Sequence, residues 1–275
     1  MEDEAGAKVD VPSLARYHSS AMLFYVFAGL AGFLLILIPL ILLTRASKKF
    51  SLPRSLFWKV GFYHIVISFL YLGVIGNLGS VWPGFEESPV WIQALVIGII
   101  SGLFLELGRF VVLDRFQKKI RDFKSGIFFG LGWSGVNAIL LGILAIINSF
   151  GLYYLAQTAD LKTQFPEISI EQLQILEDAQ KQAQAFAQGN PLVGLTPLLE
   201  NAVFLFVDIA LTLLMIMALN KGQNRWVWLA VGIRAVFSGV NFYLLSLNLL
   251  WGELAIIGFG ILAVLFSLKL KENLD

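Results

Sequence analysis

Long apolar runs separated by short polar stretches make up most of this chain of 275 residues. A helix of about 20 residues crosses the roughly 30 Å hydrocarbon core of a bilayer, and seven of the runs reach that length. We number these predicted spans one to seven in chain order, at residues 21–44, 55–79, 90–113, 126–150, 195–219, 226–245 and 249–268.

The runs are apolar throughout rather than at alternate positions, which distinguishes helices from the strands of a membrane barrel. A barrel strand alternates lipid-facing and lumen-facing residues over about ten positions. A helix instead satisfies its own backbone hydrogen bonds inside lipid. The pattern therefore predicts an all-α fold, a polytopic membrane helical bundle with seven transmembrane helices.

Composition agrees with this fold and excludes several kinds of chemistry. The chain is 57% hydrophobic and 14% charged, with a mean hydropathy of +0.77, which excludes an ordinary soluble domain. It has no Cys and two His, so disulfides, thiol nucleophiles and His-rich metal sites are excluded. We therefore expect no metal and no cofactor. The net charge of +1 argues against a nucleic-acid partner.

Lys and Arg concentrate in alternate loops, which predicts the direction of the chain across the membrane. They follow spans one, three, five and seven, whereas the other side receives an acidic tail and the turn with Glu86 and Glu87. We expect a multi-pass protein of the cell membrane with its N-terminus extracytoplasmic and its C-terminus cytoplasmic. Because residues 1–10 are acidic where a secretory signal is basic, we expect span one to be retained.

The predicted organisation has four parts. They are an acidic extracytoplasmic tail at 1–20, spans one to four at 21–155, an extracytoplasmic amphipathic segment at 156–194, and spans five to seven with a short cytoplasmic tail at 195–275.

The segment 156–194 is the only polar stretch of domain-like length. Ser169 and Gln172 fit a capping box at the start of a helix. A loose apolar stripe follows until Gly189 and Pro191 end the helix, and its members are Ile170, Leu173, Leu176, Ala183 and Phe186. The segment is either a lid or docking helix or a solvated connector.

Two glycine pairs have the spacing that lets membrane helices approach closely. They are Gly98 with Gly102 in span three and Gly126 with Gly130 in span four.

A small set of ionisable, amide and hydroxyl side chains lies within the spans. A charge at the bilayer centre costs about 2.5–3.5 kcal/mol on insertion scales, so each needs a partner or a wet cavity. Counted at about 1.5 Å per residue from the inner ends, most of them fall at similar depth, which predicts one shared polar centre. The set is His64, Glu106, Arg109, Asn137, Glu200, Asn201, Asp208, Arg234, Ser238 and Asn241.

The spacing of these residues leaves two interpretations open. Glu106 and Arg109 are i,i+3 neighbours, so a buried carboxylate could act as general base while Arg109 positions it. Alternatively, Glu106 with Arg109 and Asp208 with Arg234 are structural ion pairs, the interpretation that composition favours. Two members have simpler interpretations. Thr196 can cap span five and Pro197 can start it, so Glu200 lies near a helix N-terminus, where a carboxylate is favoured. His64 resembles a hydrogen-bonded interior residue.

Two stretches carry a family resemblance. They are GLFLELGRF at 102–110 in span three and FGLGWSGVNAIL at 129–140 in span four. With the basic loop between them, they resemble the YhfC family of glutamic-type intramembrane peptidases, which is distantly similar to CAAX-processing and bacteriocin-immunity membrane proteases. The resemblance covers most of spans two to seven and implies an intramembrane-peptidase-like fold with a polar site among spans three to six.

The chain departs from the family at most of the residues implied to act on water. The family's motifs are F-E-E-x-x-R in span three and G-L-G-H-G-G-x-E-A in span four. In this chain, Leu105 stands in place of the first Glu, Trp133 in place of the His and Asn137 in place of the later Glu. The second Glu and the Arg are kept as Glu106 and Arg109. In span five, Glu200 is followed by Asn201 in place of Arg, and Asp208 stands at a His position. In span six, Arg234 and Ser238 replace His and Asp.

Three functions follow from this comparison. Loss of the imidazoles removes groups that exchange protons near neutral pH, so the leading hypothesis is a catalytically silent peptidase-like protein that acts as scaffold or accessory subunit of a membrane complex. The second is an active peptidase using Glu106 with Asp208, held by Arg109, and the third is a small-solute or ion translocator. The expected partners are membrane lipids and other integral membrane proteins.

Overall fold

A computed structural model of the chain describes residues 11–158, 160–188, 190–272 and 274, with side chains described for 22–158, 160–185, 190–272 and 274. Seven helices in these ranges are long and apolar enough to cross a membrane, as predicted, and the described residues contain no strand. Spans one to seven are the helices Val11–Phe50, Arg54–Gly76, Val90–Phe116, Phe123–Gln157, Thr196–Lys221, Asn224–Leu247 and Leu249–Lys271. The chain is a multi-pass membrane protein.

The helix ends differ from the predicted ends where local hydrogen bonds decide them. Span two was expected to reach residue 79 but ends at Gly76, because the Asn77 side chain donates to the Gly73 carbonyl (2.7 Å) and turns the chain into a short helix, Leu78–Val81. Span one begins at Val11, inside the stretch expected to be a tail. The acidic residues 1–10 lie outside the described residues.

Two compact units divide the chain. The smaller unit comprises residues through Leu35 and Leu141–Leu198, and the larger unit comprises Ile36–Leu140 and the residues from Leu199 onward.

Span five forms the centre of the larger unit. Four consecutive side chains in it, Leu213, Leu214, Met215 and Ile216, are fully buried. A helix buried on all sides must be apolar on all sides, which explains why this run shows no polar face. The other helices of the unit are arranged around it.

Small residues let spans three and six approach closely within the larger unit. A Cβ on Gly102 would lie 2.5 Å from the Val231 carbonyl oxygen, and one on Gly239 would lie 2.9 Å from the Ala94 carbonyl oxygen. The Ser101 and Ser238 hydroxyls share a hydrogen bond of 2.8 Å across the same contact. Lipid gives two apolar helices no hydrophobic reason to associate, so close packing and such hydrogen bonds hold them together.

The second glycine pair makes a similar contact between spans four and five. A Cβ on Gly130 would lie 2.7 Å from the Ile209 Cα, and one on Gly126 would lie 2.7 Å from side-chain atoms of Ile216 and Leu213. Both pairs predicted from the sequence therefore lie at helix contacts.

Span three has two wide turns that the sequence pattern did not indicate. Residues Gly102–Glu106 and Val112–Phe116 are π-helical, and the rest of Val90–Phe116 is α-helical. Such turns often occur at functional sites, and the first one ends at Glu106.

The smaller unit contains the polar segment, whose main element, Ile170–Gln188, we call the connector helix. The Tyr25 hydroxyl of span one donates to the Ala183 carbonyl (2.9 Å), and Gln180 Nε2 donates to the Leu155 and Thr158 carbonyls at the end of span four (2.9 and 2.6 Å). The two bonds from Gln180 satisfy carbonyls that the end of span four leaves without partners in the helix. The connector helix is thus tied to spans one and four of its own unit.

The predicted capping box of the connector helix is confirmed. Ser169 Oγ accepts from the Gln172 backbone N–H (3.2 Å), and Gln172 Oε1 accepts from the Ser169 backbone N–H (3.1 Å). The predicted apolar stripe is wrong at Ile170. Its side chain is 78% exposed, because it precedes the turns of the connector helix that contact the rest of the smaller unit. The side chain of Phe186 lies outside the described residues.

The predicted cap of span five is also wrong. Thr196 Oγ1 donates to the Val193 carbonyl (2.9 Å) because a 3₁₀ turn, Pro191–Leu195, runs directly into the helix. The cap belongs to that turn instead, where Asn190 Oδ1 accepts from the Leu192 N–H (3.0 Å).

Close contact between spans three and six predicts a large effect of Gly102→Leu. The added side chain meets the backbone of span six, which cannot yield as a flexible side chain can, so we expect the free energy of unfolding to fall by about 1–3 kcal/mol. Gly258→Leu is the matched control, because a Cβ there meets nothing within 4 Å. Thermal unfolding in detergent micelles measures both, and equal effects of the two changes would contradict this packing.

Candidate functional site

Four charged side chains meet inside the larger unit. Glu106 and Arg109 come from span three, Asp208 from span five and Arg234 from span six. Glu106 and Arg109 have no exposed surface, and Asp208 and Arg234 are 3% and 2% exposed. Their depth in the bilayer requires that they compensate one another.

The four side chains are joined in a closed circuit that we call the ion-pair ring. Glu106 Oε1 accepts from Arg234 Nε at 3.0 Å, and Glu106 Oε2 lies 3.0 Å from Arg109 Nη1. Asp208 Oδ1 is ion-paired with both Arg109 and Arg234. Each carboxylate therefore contacts both guanidiniums, and each guanidinium contacts both carboxylates.

The ring is electrically balanced. Two formal negative charges and two formal positive charges lie within contact distance, so the site adds no net charge to the interior of the bundle. Breaking a buried pair costs about 3–5 kcal/mol, because one charge is left uncompensated. The ring therefore holds spans three, five and six together in one register.

Neutral side chains complete the surroundings of the ring. Arg109 Cζ lies 5.0 Å from the Trp133 ring centroid, a cation–π distance, and Trp133 stacks on Phe129 at 5.7 Å. The Thr212 hydroxyl donates to the Asp208 backbone carbonyl at 2.7 Å. Arg234 Cζ lies 6.0 Å from the Phe237 centroid. Apolar rings and a backbone bond thus enclose the charges.

Trp133 separates His64 from the ring. The His64 and Trp133 rings are 4.9 Å apart in an edge-on arrangement, and His64 Nε2 lies 3.3 Å from the Ser68 hydroxyl. His64 Nδ1 and Trp133 Nε1 are buried and have no hydrogen-bond partner among the described residues. His64 thus packs against an indole at the edge of the polar centre.

The remaining predicted site residues lie outside the ring. Ser238 bonds to Ser101 at the contact of spans three and six, and half-buried Asn137 follows Trp133 by one turn in span four. Glu200 precedes Asp208 by eight residues, which is about 12 Å along a helix, and its carboxyl group faces that of Glu253 in span seven. Asn201 is half-buried next to Glu200.

Three contributors were missed from the sequence. Thr212 bonds to the backbone carbonyl one turn earlier in span five, and Phe237 lies near Arg234 one turn earlier in span six. Glu253 is the fifth residue of span seven, just past its first turn. It is 9% exposed, and its carboxyl group lies against that of Glu200. An unmatched acid near a span end is a signal that could have identified it.

Seven membrane-spanning helices, three of which share a buried polar centre, define a class of intramembrane protein whose polar residues come from several spans. Within that class, the profile of the family YhfC intramembrane metalloprotease matches residues 34–250 of the chain. This match covers spans two to six and the C-terminal part of span one, so the chain belongs to the YhfC family.

A curated relative has a shorter match. The uncharacterized membrane protein YhfC of Bacillus subtilis (strain 168) is 24% identical over 127 residues, which are 45% of this chain and 49% of the relative. The chain thus spans about half the length of the curated relative that it matches. No solved structure matches the chain.

The family description implies a metal ion, and the residues at the polar centre do not fit one. Among the described residues, no three His, Cys, Asp or Glu side chains are grouped as metal ligands. The two carboxylates that meet here are already bound to Arg109 and Arg234. A guanidinium carries a permanent charge and offers no lone pair, so it repels a cation where a His would bind one.

The ring predicts strong coupling between its members. Glu106→Gln and Arg234→Gln each leave one buried charge unmatched, so we expect each to lower the free energy of unfolding by about 3–5 kcal/mol. The double variant is electrically balanced again. We therefore expect its loss of unfolding free energy to be about 0.5–3 kcal/mol smaller than the sum of the losses in the two single variants. Denaturant unfolding in mixed micelles measures this double-mutant cycle.

An exposed ion pair provides the control for this cycle. Asp178 and Lys181 of the connector helix lie 3.2 Å apart with side chains 71% and 74% exposed, so we expect neutralising them to have no measurable effect. Additive losses at Glu106 and Arg234 would contradict a closed ring.

Proposed function

We propose that this member of the YhfC family does not hydrolyse peptide bonds and acts as a scaffold or accessory subunit of a membrane complex. The ion-pair ring carries this proposal. In it, the carboxylates of Glu106 and Asp208 bind the guanidiniums of Arg109 and Arg234 rather than a water molecule.

A general base must accept a proton from a water molecule within hydrogen-bond reach. Glu106 is fully buried, with Arg109 against one of its oxygens and Arg234 against the other. Trp133 covers Arg109 where the family resemblance implies a His. Proton transfer at Glu106 would thus require that water displace a guanidinium from a balanced buried network.

The two other hypotheses demand features that this arrangement opposes. A peptidase working through Glu106 and Asp208 needs one group as acid and the other as base, which requires environments that differ in charge. Here the same two arginines contact both groups. A translocator needs a hydrated path past the charges, whereas Glu106 and Arg109 have no exposed surface.

The outer surface of the larger unit supports the binding part of the proposal. A groove of about 540 Å³ between spans three and six is almost entirely apolar and includes Trp91, Leu95, Val236 and Tyr243 among its walls. A transmembrane helix of a partner would find aromatic and aliphatic side chains there at the close-packed contact of the two spans.

Reconstitution in liposomes with membrane-embedded peptides tests the absence of hydrolysis. We expect cleavage by the wild-type protein to equal that by Glu106→Gln, at a temperature where both are folded. Glu87→Gln, in an exposed turn, is the matched control for the loss of one carboxylate. Cleavage by the wild-type protein that Glu106→Gln abolishes and Glu87→Gln preserves would overturn the proposal.

Purification from the native membrane in a gentle detergent tests the scaffold role. We expect a stoichiometric integral-membrane partner, retained by the wild-type protein and by Glu106→Gln. A protein that runs alone at its own mass would count against this role.

We further propose that the N-terminus is extracytoplasmic and the C-terminus cytoplasmic, so that the connector helix lies outside. Single cysteines can test this cleanly, because the natural chain has none. We expect a membrane-impermeant maleimide to label Lys181→Cys in intact cells. We expect it to label Lys118→Cys only after the cells have been permeabilised. The opposite pattern would reverse the topology.

A further inference from the structure

A second groove, separate from the ring, runs along the outside of spans two and three. Its volume is about 540 Å³, and nearly all of its lining surface is apolar. The lining residues are Tyr63, Val66, Ile67 and Leu70 from span two, and Leu103, Phe104, Leu107, Gly108, Val111, Val112 and Phe116 from span three.

The dimensions of this groove suit one acyl chain. The four residues of span two follow the i, i+3, i+4, i+7 spacing of one helix face. The wall from Leu103 to Phe116 covers about 20 Å at 1.5 Å per residue, compared with roughly 15 Å for one leaflet of a 30 Å hydrocarbon core. The groove therefore extends from one membrane surface to about the middle of the bilayer.

Gly108 lets spans two and three meet along the floor of the groove. A Cβ at this position would lie 2.6 Å from Ile67 Cδ1 on the opposite wall. Any larger side chain on span three at this point would displace Ile67, which lines the groove, and change the shape of the groove.

The surface end of the groove is aromatic and basic. Tyr63 and Phe116 stack there, with ring centroids 5.2 Å apart and an interplanar angle of 24°. Lys59 precedes Tyr63 by one helical turn, and the residues around Phe116 add three more cations. All four cations are exposed, and they are Lys59, Arg115, Lys118 and Lys119. The one acid among them is Asp114, which pairs with Arg115.

We propose that this groove binds an anionic phospholipid, with an acyl chain between spans two and three and the phosphate headgroup at the four cations. The charge of the basic end selects this occupant. Clusters of Lys and Arg where helices leave the membrane attract anionic headgroups, each cation contributing a favourable term. A lipid with a zwitterionic headgroup has no net negative charge to offset the excess of cations at this end.

Native mass spectrometry of the protein released from nanodiscs tests the headgroup. In equal mixtures of phosphatidylglycerol and phosphatidylcholine, we expect the anionic lipid to be retained at least about fivefold over the neutral one. We expect the quadruple variant Lys59→Gln, Arg115→Gln, Lys118→Gln and Lys119→Gln to lose this preference. The matched control removes four exposed charges elsewhere, with Arg45→Gln, Lys48→Gln, Lys49→Gln and Arg225→Gln, and keeps the preference.

A second variant tests the acyl-chain groove. We expect Gly108→Leu to reduce retention of both lipids severalfold, while Gly73→Leu, placed where a Cβ meets nothing within 4 Å, leaves retention unchanged. Thermal unfolding verifies that each variant compared is folded. Equal retention of the two lipids by the wild-type protein, or an unchanged preference in the quadruple variant, would overturn the proposal. So would unchanged retention in folded Gly108→Leu, for instance because a partner helix occupies the groove.

Discussion

Two carboxylates and two guanidiniums inside a bilayer must neutralise one another, and this requirement fixes much of the larger unit. Glu106 and Arg109 of span three reach Asp208 of span five and Arg234 of span six only if the three helices lie side by side at one depth. The small residues of spans three and six allow the close approach that this geometry needs. Asp208 lies at the start of the part of span five in which nearly all side chains are buried.

The sequence was sufficient to predict the elements and the participants, because both depend on simple terms. Apolar length identified seven spans, and the cost of charge in lipid selected a larger set of intramembrane residues that includes Glu106, Arg109, Asp208 and Arg234. The sequence could not show that the ion pairs join spans three and six, since that depends on the rotation of each helix about its axis. The π turn that ends at Glu106 was likewise not visible in the pattern of apolar residues.

Membership of the YhfC family and the composition of the polar centre point in different directions. The frame of the family extends over residues 34–250. Within this frame, a guanidinium and an indole stand at two positions where the resemblance implies imidazoles. An imidazole exchanges protons and binds metals, whereas Arg234 forms permanent ion pairs and Trp133 contributes an apolar face. In our proposal, these residues join helices rather than support chemistry, which is the basis of the binding role.

Metal content is the most direct test of this account, because the family description implies a metal ion, whereas both carboxylates of the ring are bound to guanidiniums. The purified protein can be loaded with Zn²⁺, passed through a desalting column and analysed by inductively coupled plasma mass spectrometry, with Glu106→Gln and Glu87→Gln in parallel. We predict that all three proteins retain the same small, substoichiometric amount of zinc. One equivalent of zinc in the wild-type protein and in Glu87→Gln, lost in folded Glu106→Gln, would contradict the account.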